Sequence, residues 1–199
     1  MTTPEPYFAP VRFGEVLYDL GHLDPVRFQV ASEKLRRPVT VRCRFTNHVF
    51  TRGFDPQMDG PTTPIIMDGV RRRVFCADRY GMSLHLPTAI LGLREPRIYV
   101  RETKAERNWL YVATIELPAL TIDQDHVPSQ QKTTRYQVFF TLRKAGKTQA
   151  VREDVEMIVE SAYAEDLARP PELLGRALFA GLATAAVEGR KVHTTAKKR

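Results

Sequence analysis

The chemistry-bearing residues of this chain are scattered rather than gathered into a familiar motif. Five histidines (His22, His48, His85, His126, His193) and two cysteines (Cys43, Cys76) stand singly. None forms a CxxC, an HExxH or a close histidine pair, the spacings that bring several ligands to one metal ion. Asn47-His48 follows Cys43 closely enough for one strand end to hold both. Cys43 falls on an apolar face, however, where a free cysteine is ordinarily a small buried hydrophobe. No metal and no cofactor is expected. GxGxxG, GxxxxGK[ST] and GxSxG are absent from the sequence, which leaves dinucleotide, P-loop and nucleophile-elbow chemistry unsupported.

The remaining polar residues suit metal-free cleavage of RNA. That reaction needs a base for the 2′-hydroxyl proton, a cation for the phosphorane and an acid for the leaving oxygen. Arg79 and Tyr80 stand just before an expected helix and His85 in its first turn. Arg143 ends one expected strand, and Glu160, Ser161 and Tyr163 end the next. The catalytic candidates are therefore His85, Arg79, Arg143, Ser161 and Tyr163. The plainer alternative makes Ser161 and Tyr163 core residues with satisfied hydroxyls and His85 a helix-start residue that contacts backbone.

Phosphate contact would fall to the basic clusters. The formal net charge is +7, but the last eleven residues, Gly189 to Arg199, carry five cations and no acid. The body is almost balanced and unevenly charged. Lys34, Arg36, Arg37, Arg42 and Arg44 form one cluster, Arg71, Arg72 and Arg73 a second, and Arg143, Lys144 and Lys147 a third. Against them stand Glu153, Asp154, Glu156, Glu160, Glu165 and Asp166. Arg42, Arg44, Arg71, Arg72, Arg73, Lys197 and Lys198 are the candidate nucleic-acid contacts, whose binding would weaken with salt. The alternative is a solvated surface on which some arginines pair with the acidic stretch.

The elements that must position these residues show mostly as alternation. Val26 to Val30 alternates after Pro25. In Val39 to Asn47, Val39, Val41, Cys43 and Phe45 point one way and Thr40, Arg42, Arg44 and Thr46 the other, so Arg42 and Arg44 lie on a wet face. Gly and Pro punctuate residues 51–70, which suits a long loop with a short strand at Ile65-Ile66-Met67; Val74-Phe75-Cys76 is another. Ser83 to Leu93 is expected to be helical, with Ser83 as N-cap and Pro87 near the first turn. Ile98 to Lys104 suits either a strand or a helical extension. Three alternating runs follow: Asn108 to Leu117, Arg135 to Leu142, and Asp154 to Tyr163. In the last, Val155, Met157, Val159, Ser161 and Tyr163 share one face. A short hairpin is expected at Arg143 to Lys147, and consecutive strands without a helix between them imply an antiparallel meander. Glu172 to Glu188 is expected to form a helix.

The expected class is α+β: an antiparallel β-meander with a central packed helix, a β-rich N-terminal part and a C-terminal helix. One domain would cover 1–188, with the β-rich part over 7–76, the helix and meander over 83–166 and the last helix over 172–188. A basic disordered tail would follow over 189–199. Hydrophobic residues make up 43% and charged residues 27%, a globular balance and not a disordered one. With no apolar run near membrane-spanning length and no visible signal peptide, a cytoplasmic protein without membrane contact is expected.

Phe45-Thr46-Asn47-His48, Phe75-Cys76-Ala77-Asp78-Arg79-Tyr80, Arg107-Asn108-Trp109 and Val159-Glu160-Ser161-Ala162-Tyr163 make the whole chain resemble a family of bacterial proteins often carried on mobile elements. That resemblance brings no activity with it. Residues 79–166, a helix followed by a meander ending in Ser161-Ala162-Tyr163, are similar to ribonucleases of the barnase–EndoU–colicin–RelE type. This second resemblance implies an active site on the sheet face, with Ser161 and Tyr163 as site residues, Arg143 from the neighbouring strand, and His85 the nearest counterpart of the base. Two function classes stay open. One is a nucleic-acid-directed protein acting as a metal-independent ribonuclease, with RNA ahead of DNA and a toxin-like role on a mobile element. The other is a non-catalytic module that binds nucleic acid, a nucleic-acid-bound complex or a protein, or acts as an inhibitor through the acidic stretch.

Overall fold

The computed structural model describes residues 6–61, 63–104, 109–118, 133–146, 152–168 and 170–190. Lys197 and Lys198 lie outside them. Among the described residues twelve strands and three α-helices follow in chain order: β1 (Val11–Phe13), β2 (Val16–Tyr18), β3 (Val26–Val30), β4 (Val39–Phe45), β5 (Thr51–Gly53), β6 (Ile65–Asp68), β7 (Arg71–Phe75), α1 (Ala77–Ser83), α2 (Leu86–Gly92), β8 (Tyr99–Lys104), β9 (Trp109–Pro118), β10 (Thr133–Lys144), β11 (Val155–Ala164), β12 (Leu173–Leu178) and α3 (Phe179–Val187). The class is α+β, as the alternation implies.

A seven-stranded sheet in the order β12-β8-β9-β10-β11-β4-β3 carries the fold. Strands β9 to β11 form the expected antiparallel meander, and β8 extends it by one strand. The sheet then continues through a parallel pairing of β11 with β4 that no local pattern announces. In β4 the alternation appears directly as burial: Val39, Val41, Cys43 and Phe45 are buried, and the residues between them are half-buried. The apolar face supports α3, whose Phe179 lies against Phe28 and Phe140, with ring centroids 6.0 and 5.9 Å apart. The run Ala183 to Ala186 in α3 is buried; with side chains this small its backbone can lie close to the sheet. Leu86, Ile90 and Leu93, from α2 and its end, complete this core.

Several expected elements are arranged differently. The helix expected over Ser83 to Leu93 forms as α2 over Leu86–Gly92, and a further short helix, α1, precedes it. Ser83 ends α1 instead of capping a helix, because it is buried and its Oγ bonds His22 Nε2 (2.8 Å) and donates to the Tyr80 carbonyl (2.7 Å). The expected helix over Glu172 to Glu188 is strand in its first part. Leu173 to Leu178 pairs with β8 along the sheet edge, and inter-strand hydrogen bonds there override a helical pattern that Gly175 already weakens. Gly189 and Arg190, placed at the start of the tail, are ordered as the cap of α3. Gly189 takes φ +69°, its N–H donates to the Ala186 carbonyl and that of Arg190 to the Ala185 carbonyl, the Schellman arrangement. The connection after β10 is longer than Arg143 to Lys147, since Lys144 still pairs with Val155. Ile98 to Lys104 resolves as strand β8.

One irregularity changes the site. Phe139 pairs with Ser161 but Phe140 pairs with Val159, so Glu160 is an extra residue in β11, a β-bulge. Ser161 and Tyr163 are therefore not on the face of Val155, Met157 and Val159. They lie on the opposite face, where Tyr163 stacks on Phe139 at 5.0 Å, and Ala162 takes the core position.

Candidate nucleic-acid interface

The sheet face opposite α3 is built from three strands of different charge. β11, which brings Glu156, lies between β4 with Arg42 and Arg44 and β10 with Arg143. Two of the three basic clusters thus meet the acidic stretch across strand pairs, although more than 100 residues separate β4 from β11 in the chain. Arg143 Nε donates to Glu156 Oε2 (2.6 Å), and Arg44 pairs with the other oxygen of the same carboxylate. Burial works against the Glu156 charge, but the hydrogen bonds and fields of Arg143 and Arg44 outweigh it and hold its pKa below the ordinary value. One strand turn away, the Glu153 side chain is only 1% exposed and binds Arg27 Nε at 2.7 Å, with Arg42 at 3.8 Å. Asp154 takes both Nη atoms of Arg37 (2.8 and 2.7 Å) and the Thr40 N–H (2.9 Å). The Arg37 hydrogen bonds are the main reason its pKa is lowered.

These pairs do not exhaust the cations. Arg42, Arg44, Arg143 and Lys144 line a concavity of about 480 Å³ in which Glu156 is the one acid among the described residues. Among the described residues no acceptor reaches Arg42 Nε or Arg44 Nε. Arg44 is also the wall of a second hollow, of about 320 Å³, lined further by Tyr7, Phe8, Thr46, Asn47, Asp68 and Ile158. Arg44, on the polar face of β4, lines both hollows, and the pair is termed the groove. From Arg42 to Thr46 the backbone runs about 13 Å at the usual rise of a strand.

The small sheet β5-β7-β6 contributes Asp68 to the second hollow. Its hairpin turns at Gly69-Val70, where Gly69 takes φ +58°, as the first residue of a two-residue hairpin turn requires. The turn presents Asp68 to His48, which lies in a 3₁₀ turn (Asn47–Val49) just after β4. His48 Nε2 and Asp68 Oδ2 are 2.7 Å apart, and that hydrogen bond is the first cause of the lowered Asp68 pKa. Arg79 Nη1 donates to the His48 carbonyl (2.9 Å), and Arg73 is held by Thr51 through Nε to Oγ1 (2.7 Å) and Nη2 to the carbonyl (3.0 Å).

The residues expected from the sequence fall into three places. Arg79 and Tyr163 meet, with the guanidinium 5.5 Å from the ring centroid, and Ser161 shares their side of the sheet. Arg143 joins Arg42 and Arg44 instead; it lies four residues along β10 from Phe139, the partner of Ser161, which is about 13 Å. His85 is on the other side of the sheet. It lines an apolar cavity of about 460 Å³ with Ala89, Leu93, Ile98, Ala113 and Leu117, so the five catalytic candidates do not converge. Arg71 and Arg72 are exposed on β7, and the Arg72 guanidinium lies 4.0 Å from the centre of the Phe54 ring. The pair His48–Asp68 is absent from the expected set. The Asp68-Gly69 step, flanked by alternating residues, is a hairpin signal that would have located Asp68, but nothing local ties it to His48.

Cys43 and Cys76 are free thiols, and burial pushes the Cys43 thiol pKa up. Among the described residues no group of three His, Cys, Asp or Glu side chains is placed to hold a metal ion, and no helix is long and apolar enough to cross a membrane. No curated protein and no solved structure matches the chain. The YjaZ family model matches residues 10–186, a span that takes in the first hollow, the second except for Tyr7 and Phe8, the small sheet and almost all of α3. On that match over most of its length, the chain belongs to the YjaZ family.

Proposed function

We propose that this protein is nucleic-acid-directed and holds the phosphate backbone of single-stranded RNA, ahead of DNA, in the groove along β4. The observation that carries this reading is the surplus of cations there: Arg42, Arg44, Arg143 and Lys144 against Glu156. Desolvated guanidinium N–H groups without a protein acceptor favour an anion close by. Tyr7 and Phe8 stand at one end of the same groove, edge to face at 4.8 Å. A cationic track with aromatic rings beside it is how proteins hold unpaired strands, and RNA is the nucleic acid that most often presents them. Two free cysteines suit a reducing compartment, so we place the protein in the cytoplasm.

The test is fluorescence anisotropy with a labelled single-stranded RNA over a salt series. The logarithm of affinity falls linearly with the logarithm of salt, and the double change Arg143→Glu, Lys144→Glu lowers both affinity and slope. Absence of binding at low salt, or binding indifferent to that double change, overturns the reading.

A further inference from the structure

We infer that His48, oriented by Asp68, is the general base of a metal-independent ribonuclease centre at the end of the RNA groove, cutting the strand by 2′-oxygen attack. This rests on the groove reading above and adds the reaction. A carboxylate only accepts hydrogen bonds, so at 2.7 Å from Asp68 Oδ2 it is His48 Nε2 that carries the proton, and in the neutral ring Nδ1 then holds the lone pair. One ring nitrogen held by a carboxylate and the other able to take a proton is the arrangement of a general base. The backbone of His48 is pinned at both polar groups: its N–H donates to Thr46 Oγ1 (3.3 Å) and its carbonyl accepts from Arg79 (2.9 Å). Both side chains stay reachable, His48 being 25% and Asp68 37% exposed, and Asp68 lines the hollow that Arg44 shares with the cationic concavity.

Cations gather at the same point. Arg71 and Arg73 act on Asp68 through their fields, and Arg73 is itself disfavoured as a cation, by burial first and then by Arg79 and Arg71. Guanidinium groups whose fields reach one another repel, and an anion between them, as Asp68 already is for Arg73, relieves that repulsion. A phosphorane, which carries more negative charge than the diester it forms from, relieves it most.

The step balances as follows. His48 Nδ1 takes the 2′-hydroxyl proton, and O2′ attacks phosphorus. The P–O2′ bond forms as the P–O5′ bond breaks. The departing O5′ takes a proton from solvent, and the imidazolium later returns its own to solvent. The products are a 2′,3′-cyclic phosphate and a 5′-hydroxyl. Asp68 is a positioning residue that fixes the tautomer.

The experiment uses the full chain and a labelled RNA oligonucleotide in EDTA, beside the same oligonucleotide with 2′-deoxy at the cleaved nucleotide. Cleavage with a cyclic-phosphate end is expected for the first, and binding without cleavage for the second. His48→Ala lowers the rate by about 10²–10⁴-fold, Asp68→Asn by roughly tenfold or more, and Asp68→Glu recovers part of the loss. If His48→Ala fails to fold by thermal melt, the Asn and Glu pair at Asp68 decides alone. RNA that binds but stays intact overturns this inference and leaves the groove. Cleavage of the deoxy oligonucleotide, or undiminished cleavage by folded His48 or Asp68 variants, also overturns it. RNA that does not bind removes the groove reading, and this inference with it.

Discussion

Replacing Glu156 with glutamine separates what holds the sheet from what the groove attracts. The side chain keeps its shape and one oxygen acceptor but loses the charge that Arg44 and Arg143 share. Two charge-assisted hydrogen bonds become neutral-acceptor ones, and Arg143 is 62% exposed, so water already screens one of them. The cost in folding stability is about 1–2 kcal/mol, or about 3–6 °C in Tm for a chain of this size. The groove responds in the opposite direction. It loses its one carboxylate while keeping Arg42, Arg44, Arg143 and Lys144. Removing one repelling charge a few ångströms from a bound phosphate gains about 1 kcal/mol, or roughly fivefold in affinity. It also steepens the logarithmic salt slope by about 0.7 for a single strand. Thermal melts and anisotropy titrations on the same preparations measure both. A variant that is less stable yet binds RNA more tightly is expected. A variant that loses stability and affinity together would refute the reasoning, because Glu156 would then be supporting the RNA-binding surface and not competing with its ligand.

Four further outcomes follow from the same structure. Asp154, held mainly by Arg37, and Asp68, held mainly by His48, both have lowered pKa values, as does Glu156. Their contribution is therefore complete above the ordinary carboxylate range and is lost as pH falls through the lowered values; Tm holds down to about pH 5 and drops below about pH 4, and a Tm that rises on acidification counts against the pairs. His85→Ala changes RNA cleavage far less than His48→Ala, since His85 lines the cavity on the other side of the sheet; equal losses in parallel assays would restore His85 as the base. Truncation after Arg190 removes Lys191, Lys197, Lys198 and Arg199 and lowers the salt slope of binding, but what remains still responds to Arg143→Glu; binding abolished by truncation alone would move the site to the tail. Phe140→Ala, at a fully buried ring between Tyr111 and Phe179, costs about 3–5 kcal/mol in denaturant melts, and a loss below about 1 kcal/mol would mean that the core closes over the gap.

The sequence alone determined where most strands lie and the α+β class they build. Alternation in Val26 to Val30, Val39 to Phe45 and the three later runs is a local signal, because each side chain's burial follows from its parity along an extended backbone. The basic clusters and the acidic stretch were equally plain as composition, and so was the possibility that they pair. Tertiary structure decided the rest, wherever the outcome depends on a distant partner. Pairing with β8 turned Leu173 to Leu178 into an edge strand despite helical spacing, and the buried Ser83, bound to His22, ends a preceding helix where an N-cap had been expected. One extra residue at Glu160 shifted parity and carried Ser161 and Tyr163 to the other face, which alternation counted along a single strand cannot register. The parallel contact of β11 with β4 set Glu156 between Arg44 and Arg143, and the Gly69 hairpin carried Asp68 to His48. Charge and hydrogen-bonding partners act through space, so the chain could name the groups of this site but only the folded sheet could bring them together.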